Sequence, residues 1–342
     1  MGLMNRLAGF AFPLSILGTG VGITVLVKDS YGGVECSSNA RIDGKTVIVT
    51  GANTGIGKET ALELARRGGR IVLACRDLEK GKAAAEEIIE NTKNPNVKVF
   101  QLDLASLESI KSFVTKFTTE EKKLHILINN AGIMRCPRWK TADGFEMQFG
   151  VNHLGHFYLT NLLLDNLKDS APSRIVNVSS ISHTRGRIEF DNLNAEKHYS
   201  SSEAYADSKL AIVLFTRELS KRLKGSGVTA NVLHPGIVQT KIGRHTGMQQ
   251  SAFSMSVLGP LFWLFVKTPI QGAQTSIYCA VAEELENTSG KYFIDCKEKE
   301  CAPEGQDDAV AEKLWDVSAQ MVGLVNRENE QTHENTRTMA PS

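Results

Sequence analysis

The stretch TGANTGIGKE, from Thr50 to Glu59, holds three glycines between an apolar run and a helical pattern. The preceding run KTVIVT, Lys45 to Thr50, is apolar and β-branched, as strands buried in parallel sheets are. The following residues IGKETALELARRGG have the periodicity of an amphipathic helix that ends at two glycines. A glycine turn between strand and helix lets backbone N–H groups meet a pyrophosphate at the helix N-terminus. The stretch therefore predicts a nucleotide-binding turn.

Two common phosphate-binding patterns do not fit this turn. A Walker-type loop would need a glycine at Ala52 and a hydroxyl residue at Glu59. The G-x-G-x-x-G fingerprint fails because the spacing here is G-x-x-x-G-x-G. The strand, turn and helix nevertheless meet the physical requirements of a dinucleotide site. The expected cofactor-binding residues of the turn are Gly51, Asn53, Thr54, Gly55, Ile56, Gly57 and Lys58.

The composition argues against several classes of function. The 342 residues are 42% hydrophobic, enough for one large doubly wound domain with extensions. A net charge of +1 provides no basic surface for nucleic acid, so we expect no nucleic-acid partner. The six cysteines include no C-x-x-C pair, which indicates reduced thiols and neither a disulfide framework nor a metal site.

The N-terminus differs from the rest of the chain. Residues 7–27 carry no charge, and about 20 apolar residues suffice to cross a bilayer. No clear small-residue cleavage site is present, so a membrane anchor is favoured over a signal peptide, with a buried helix as the alternative. We therefore predict an anchor and linker over 1–40, a cofactor-binding domain over 41–326 and a polar, disordered tail over 327–342. Membrane lipid is the expected partner of the anchor.

Apolar runs alternate with helical patterns along the rest of the chain. The predicted strands are Thr46–Thr50, Arg70–Cys75, Val97–Leu102, Ile126–Asn129, Arg174–Ser179, Thr229–His234 and Lys291–Ile294. The most evident helices are Ser106–Thr118, Phe145–Leu167, Ala204–Leu223 and Ile270–Glu284. This alternation predicts an α/β fold, a Rossmann-type doubly wound parallel sheet of about seven strands in a single domain. Ligands of such sheets bind beyond the carboxyl ends of the strands.

The residues after the second and third strands bear on the choice of cofactor. An acidic residue after the second strand would bind the ribose hydroxyls of NAD, whereas an arginine accommodates the 2′-phosphate of NADP. Arg76 stands there, followed by Asp77, and Lys58 in the first turn of the first helix can approach the same phosphate. We therefore predict NADP (NADPH), the alternative being that both cations are only solvated charges. Asp103 either meets the adenine amino group or caps the helix beginning near Ser106.

A second set of residues has the chemistry of a carbonyl–alcohol conversion. In the helix EAYADSKLAIVLFTREL, Tyr205 and Lys209 are spaced i and i+4 and share one face. A nearby ammonium lowers the pKa of a tyrosine from about 10, so that the phenol exchanges a proton near neutral pH. Ser180, after the fifth strand, is a hydroxyl donor for a substrate carbonyl oxygen. Asn152 is a polar residue in an apolar helix and requires a partner.

Together these residues resemble the short-chain dehydrogenase/reductase family over roughly Lys45 to Phe293. The family's T-G-x-x-x-G-x-G, N-N-A-G, Y-x-x-x-K and P-G-x-x-x-T patterns stand at Thr50–Gly57, Asn129–Gly132, Tyr205–Lys209 and Pro235–Thr240. The resemblance implies further cofactor-binding residues, namely Asn130, Gly132, Tyr205, Lys209, Pro235, Gly236 and Thr240.

The resemblance also implies roles for the catalytic residues. Tyr205 would be the general acid and base, and Lys209 would lower its pKa and bind the nicotinamide ribose. Ser180 would bind and orient the substrate carbonyl, with Ser179 as the alternative. Asn152 would hold a water molecule that links Lys209 to solvent.

Three longer stretches are similar to the membrane-bound retinol dehydrogenase branch of that family, namely KTVIVTGANTGIGKETALELARRGG, GFEMQFGVNHLGHFYLTNLLL and SKLAIVLFTRELSKRL. The branch implies an NADPH-dependent oxidoreductase that interconverts an apolar aldehyde and its alcohol, with all-trans-retinal and retinol as first candidates. Steroid or lipid-derived carbonyls are alternatives. A non-catalytic NADP-binding sensor is another, although it would be expected to lack Tyr205 or Lys209. The glycine spacing argues against a sugar-nucleotide epimerase.

The resemblance extends to location. The lead LVKDSYGGVECSS is similar to that of a mitochondrial member of the branch. It favours the mitochondrial inner membrane, with the endoplasmic reticulum membrane as the alternative, and a homodimer stays open.

Two further features allow more than one interpretation. His153 and His156 have the i, i+3 spacing of a metal pair, but no third ligand matches, so packed or hydrogen-bonded histidines are favoured. The apolar run at Ser256–Pro269 is too short to span a membrane. It is either core, a lid over an apolar substrate or a patch on the bilayer surface.

Overall fold

Eight strands form one sheet in the computed structural model, which describes residues 33–245 and 266–324. The strands are β1 (Thr46–Thr50), β2 (Arg70–Cys75), β3 (Val97–Gln101), β4 (Ile126–Asn129), β5 (Ser173–Val178), β6 (Val228–His234), β7 (Tyr292–Ile294) and β8 (Lys297–Lys299). Their order across the sheet is β3-β2-β1-β4-β5-β6-β7-β8. The first seven are parallel and β8 pairs antiparallel with β7. The predicted doubly wound parallel sheet is confirmed, with one short edge strand added.

Helices cover both faces of the sheet and make a single domain. They are α1 (Gly55–Arg66), α2 (Leu78–Thr92), α3 (Leu107–Glu120), α4 (Gly155–Leu162), α5 (Leu164–Lys168), α6 (Ser201–Arg222), α7 (Pro269–Val281) and α8 (Asp308–Met321). Buried apolar side chains of α3, α4, α6 and α8 form the core on one face, and those of α1, α2 and α7 form it on the other. Strand order reverses between β1 and β4, so a crevice opens at their carboxyl ends, where ligands of such sheets bind.

One helix that the sequence predicts as continuous is interrupted in the structure. The range Phe145–Leu167 is divided into a short turn at Met147–Phe149, a π-helical turn at Gly150–Leu154, and then α4 and α5. The π turn contains Asn152, whose side chain bonds to the backbone of Ile133 rather than facing solvent. Such a tertiary contact overrides the apolar periodicity on which the prediction rested. The other predicted helices and strands differ from the observed bounds by a few residues at most.

The described part of the linker packs against the domain. Cys36 N donates to Gln274 Oε1 at 3.0 Å, and Ser38 Oγ donates to Glu283 Oε2 at 2.7 Å. Arg67 Nη1 donates to Ser38 O at 2.8 Å. The predicted membrane segment, most of the apolar run at Ser256–Pro269, and the polar tail lie outside the described residues. Over 33–245 and 266–324, none of the helices has the length and apolarity that crossing a bilayer requires.

Candidate active site

The glycine turn follows β1 and requires all three of its glycines. Gly51 and Gly55 have φ of +66° and +59°, values that side chains disfavour. A Cβ on Gly57 would lie 2.5 Å from Asn130 Nδ2 and 2.7 Å from Gly51 O. The Asn130 side chain in turn donates to Thr50 O at 2.9 Å, so the N-N-A-G segment is hydrogen-bonded to the start of the turn.

The start of α1 has the features of an anion site. Thr54 is the N-cap residue of α1 and makes no side-chain cap hydrogen bond. The first N–H groups of a helix have no partner within it, and the positive end of the helix dipole lies at the same place. This free N-terminus and the side-chain-free turn beside it fit the pyrophosphate of a dinucleotide.

Of the two charged residues after β2, Asp77 is occupied by local hydrogen bonds and Arg76 is exposed. Asp77 caps α2 by accepting from Lys80 N at 3.1 Å, and its carboxylate also pairs with the Lys80 ammonium. Arg76 is exposed. Lys58 Nζ lies 2.6 Å from Glu87 Oε1 on α2, so the structure holds this lysine in an ion pair between two helices. Arg76 is therefore the cation best available for a 2′-phosphate.

Asp103 does not cap α3. The N-cap residue is Ser106, whose side chain accepts from Ser109 N at 3.2 Å. Asp103 Oδ1 instead accepts from Ala105 N at 3.0 Å within the turn after β3. The capping alternative was therefore wrong, and contact with adenine stays a prediction.

Ser180 and Tyr205 form the centre of the second set of residues. A side-chain hydrogen bond between Ser180 and Tyr205 joins the end of β5 to α6 and lowers the pKa of Tyr205. Ser179 is buried, and its Oγ donates to Lys209 O at 2.7 Å. Of the two serines, the structure thus brings Ser180 to the tyrosine and commits Ser179 to packing α6 against the strand.

Lys209 is buried beside the tyrosine. Its Nζ lies 5.7 Å from the centroid of the Tyr205 ring and donates to Val178 O at 3.1 Å. Burial lowers the pKa of Lys209 to about 7, because the low-dielectric interior disfavours the ammonium. Burial also raises the pKa of Tyr205, and this outweighs the opposing effects of Ser180 and Arg135. The expected net lowering of the tyrosine pKa was therefore wrong in direction, because desolvation by burial is the largest influence on this phenol.

Asn152 has the partners that the sequence required. Its Oδ1 accepts from Ile133 N at 2.9 Å, and its Nδ2 donates to Ile133 O at 3.0 Å and to Ser208 Oγ at 2.9 Å. A Cβ on Gly132 would lie 3.4 Å from Asn152 Oδ1 and 3.7 Å from Lys209 Nζ. Gly132, Asn152 and Lys209 therefore meet at one point, while the water molecule expected there stays a prediction.

The loop after β6 closes the other side of the crevice. Gly236 has φ of +90° and lies against Lys267, where a Cβ would be 2.8 Å from the lysine Cδ. The methyl group of Thr240 would be 3.2 Å from a Cβ on Gly55. Pro235, Gly236 and Thr240 thus lead from the end of the sheet to the glycine turn, as a nicotinamide-binding loop would.

The two histidines of NHLGH are buried and hydrogen-bonded. His156 Nε2 lies 2.9 Å from Thr50 Oγ1, and His153 Nε2 lies 2.8 Å from Ser318 Oγ on α8. The hydrogen-bonded interpretation is confirmed for both rings. Across the ranges that the structure describes, no group of three or more His, Cys, Asp or Glu is arranged to hold a metal ion.

Sequence reasoning missed several residues around Tyr205. Arg135 has left-handed backbone, with φ of +51°, and its charge lowers the pKa of Tyr205. Fully buried Gln148 holds it by accepting from Arg135 N at 2.7 Å. His183 and His234 bond to the two ends of one peptide group, Ser180 O and Ile181 N. No local pattern marks these residues, because their partners lie on other elements.

A nucleotide-type turn, a Ser–Tyr–Lys cluster and a reversed strand order together define a class of protein. The chain belongs to the short-chain dehydrogenase family, whose model matches residues 45–251, and the family uses NAD or NADP. Retinol dehydrogenase 13 of Homo sapiens is 62% identical over 316 residues, 92% of this chain and 96% of that protein. Retinol dehydrogenase 11 of Mus musculus is 54% identical over 302 residues, 88% of this chain and 94% of that protein.

A solved structure shows the same fold. The crystal structure of an uncharacterized protein from Mycobacterium Paratuberculosis is 34% identical and superimposes with a TM-score of 0.68. The superposition covers 85% of this chain and 98% of that one. The two proteins therefore share this fold although only about a third of their aligned residues are identical.

Proposed function

We propose that the chain is an NADPH-dependent oxidoreductase that interconverts an apolar aldehyde and its alcohol, with all-trans-retinal and retinol as the substrate pair. The observation that carries the proposal is Tyr205, whose side chain is hydrogen-bonded to Ser180 and whose ring centroid lies 5.7 Å from Nζ of buried Lys209. The retinoid is supported by the names of two relatives, Retinol dehydrogenase 13 and Retinol dehydrogenase 11. The exposed Arg76 and the committed Asp77 support NADP over NAD.

In the proposed reduction, Tyr205 donates its phenolic proton to the substrate carbonyl oxygen, and Ser180 holds that oxygen by a hydrogen bond. Bound NADPH supplies the hydride that the carbonyl carbon accepts. Lys209 has a pKa of about 7 and therefore takes up or releases a proton at neutral pH, which replenishes the tyrosine. Asn152 fixes Ile133 and Ser208 around the lysine and keeps this region ordered. In the reverse oxidation, Tyr205 accepts the proton of the alcohol.

Substrate class is tested by turnover. Purified full-length chain is mixed with all-trans-retinal, a steroid ketone or a lipid-derived aldehyde, and oxidation of NADPH is followed. The proposal expects retinal to be reduced with the highest kcat/KM of the three. Efficient reduction of another carbonyl without retinal would support the enzyme and overturn the retinoid assignment. Binding of NADPH without turnover of any carbonyl would instead favour a sensor.

Cofactor preference is tested at Arg76. A charge-assisted hydrogen bond to phosphate contributes about 1.5–3 kcal/mol, so Arg76→Gln is expected to raise the KM for NADPH about tenfold to hundredfold. The KM for NADH, which lacks the phosphate, stays nearly constant. Lys82→Gln is the matched control, because it removes one exposed positive charge from α2, where Lys82 pairs with Glu79. Equal changes in both variants, or for both cofactors, would contradict a specific phosphate contact.

Membrane attachment through residues 7–27 is a separate part of the proposal. It is supported by the uncharged segment, which is long enough to cross a bilayer. None of the comparisons supports the mitochondrial inner membrane. Fractionation of cells expressing the full chain, and a variant lacking residues 1–32, tests the proposal. Sedimentation of only the full chain with a membrane fraction is expected, and the fraction identifies the organelle. Equal sedimentation of both would contradict it.

A further inference from the structure

His183 lies directly beneath the catalytic serine. It is 1% exposed, and its Nδ1 lies 2.7 Å from Ser180 O while its Nε2 lies 3.1 Å from Ala302 N. A carbonyl oxygen only accepts and a backbone N–H only donates, so the proton must be on Nδ1. The neutral ring therefore ties the turn that starts at Ser180 to the segment after β8. The ring also packs on Tyr292, with 5.0 Å between centroids.

His234 lies on the other side of the same turn, at the end of β6. Its Nδ1 accepts from Ile181 N at 3.2 Å and from Gly236 N at 3.3 Å. Since Nδ1 is the acceptor of both bonds, this ring is also neutral and carries its proton on Nε2. It links the residue after the catalytic serine to the loop expected to contact nicotinamide.

The turn has little apolar packing of its own. Ser180 is half-buried, and the Ile181 side chain is 46% exposed. Within the turn, Ser180 Oγ accepts from Ser182 N at 3.2 Å, a bond that a shifted turn would retain. The turn lies against α6, where a Cβ on Gly186 would be 2.5 Å from Ala206 O. His183, within the turn, joins it to Ala302, and Ile181 N joins it to His234 at the end of β6.

We propose that His183 and His234 are positioning residues that hold the Ser180 hydroxyl against Tyr205. The proposal rests on the oxidoreductase function given above. A displacement of about 1 Å at a reacting group can lower a rate a hundredfold. The groups that lower the pKa of the Tyr205 phenol are Ser180 and Arg135. Of these, Ser180 is the one whose hydrogen bond the two histidines control.

The consequence for pH dependence has a definite sign. The hydrogen bond with Ser180 lowers the pKa of Tyr205, so its loss raises that pKa. Alcohol oxidation requires the deprotonated tyrosine, and its rate therefore increases as pH rises through the tyrosine pKa. A displaced Ser180 moves the rising limb of the kcat profile to higher pH and leaves cofactor binding unchanged.

The test compares variants that keep or remove one hydrogen-bonding atom. His234→Asn can keep an acceptor at the position of Nδ1, whereas His234→Leu removes it. His183→Asn can keep the donor to Ser180 O, whereas His183→Leu removes it. We expect both leucine variants to lower the kcat of retinol oxidation about tenfold to hundredfold and to shift its profile to higher pH. The asparagine variants recover the profile, and the Kd of NADPH is unchanged in both His183 variants.

His125→Leu is the matched control. His125 Nδ1 accepts from Thr46 N at 2.9 Å, so this variant loses the same kind of bond at the amino end of the sheet. It is expected to lower thermal stability without moving the pH profile. An unchanged kcat profile in folded His183→Leu and His234→Leu, or an equal shift in His125→Leu, would overturn the proposal.

A second readout separates this proposal from the function on which it rests. Ultraviolet difference titration of the chain against its Tyr205→Phe variant reports the pKa of Tyr205 without any substrate. A higher tyrosine pKa in both leucine variants supports the positioning role even if retinol is not oxidised. No change in this pKa would overturn the role whatever the substrate proves to be.

Discussion

Burial of Lys209 disfavours its charged form. Burial lowers its pKa from 10.5 to about 7, so the folded chain binds fewer protons than the unfolded chain between those values. Stability must then increase as pH rises through that range, and below pH 7 the full penalty for burying the ammonium applies. Because burying this lysine destabilises the fold, its presence is consistent with a role in the chemistry of the site.

Replacing this lysine with an apolar residue should therefore make the chain more stable and less active. We expect Lys209→Met to raise the free energy of unfolding at pH 7 by about 2–4 kcal/mol. The difference from wild type should shrink toward pH 10. Urea unfolding of both proteins at several pH values measures it. A variant that is less stable than wild type at pH 7, or a pH-independent difference, would be inconsistent with a buried, partly charged lysine.

The sequence predicted the residues of the site better than their hydrogen bonds. Tyr205 and Lys209 are four apart on one helix, so their proximity follows from helical geometry alone. His183 accepts a hydrogen bond from Ala302 N, and His234 accepts one from Gly236 N. Only the fold brings these residues near Ser180. The pKa of Tyr205 depends on burial, which spacing in a sequence does not give.

At the scale of elements, the pair of helices α1 and α2 bears on cofactor affinity. Lys58 Nζ pairs with Glu87 Oε1 at 2.6 Å, so phosphate has to compete with a carboxylate for this lysine. Exposed ion pairs contribute about 0.2–1 kcal/mol. Releasing Lys58 therefore changes affinity modestly, and only for a cofactor that carries the 2′-phosphate.

We accordingly expect Glu87→Gln to lower the KM for NADPH by about 1.5- to 5-fold at low ionic strength, with no change for NADH. Glu90→Gln, an equal charge change at an exposed position of the same helix, is the control. Steady-state kinetics with each cofactor measure the effect. If Glu87→Gln and Glu90→Gln behave alike, Lys58 fastens the two helices and has no part in cofactor binding.

Elements stabilised by burial of their own apolar residues could be predicted from the sequence, whereas elements that depend on contacts with distant residues could not. The bounds of β1, β2 and β4 were predicted residue for residue, because buried parallel strands are uninterrupted apolar runs. Strand β8 was missed because its residues, Lys-Glu-Lys, are all exposed and only its pairing with β7 makes it a strand. The π turn at Gly150–Leu154 was missed because it depends on the bonds of Asn152 to Ile133.

At the scale of the whole molecule, α8 completes the core on the α6 face of the sheet. The Trp315 ring lies 4.9 Å from Phe157 and 5.8 Å from Phe215, and Arg222 lies 4.4 Å from it. The tryptophan is 7% exposed. The described chain after β7, up to residue 324, is thus part of the fold, and α8 packs on the helix that carries Tyr205.

Truncating this side chain should weaken the entire domain. Trp315→Ala is expected to lower the free energy of unfolding by about 3–5 kcal/mol, since it removes a large buried aromatic group. Equilibrium unfolding in urea, followed by circular dichroism, measures the loss. Glu312→Ala, an exposed change on the same helix, should lie within about 0.5 kcal/mol of wild type. A small effect of Trp315→Ala would mean that α8 is not integral to the core.

The most direct test of the central claim is the rate of all-trans-retinal reduction by NADPH in Tyr205→Phe, compared with wild type and with Tyr278→Phe. Tyr278, on α7, packs against Phe293 on the opposite face of the sheet. The account predicts that Tyr205→Phe loses kcat by about a hundredfold or more, the size of a general-acid contribution. Tyr278→Phe should keep the wild-type rate. Undiminished turnover in Tyr205→Phe would show that another group donates the proton and would contradict the assignment of this site.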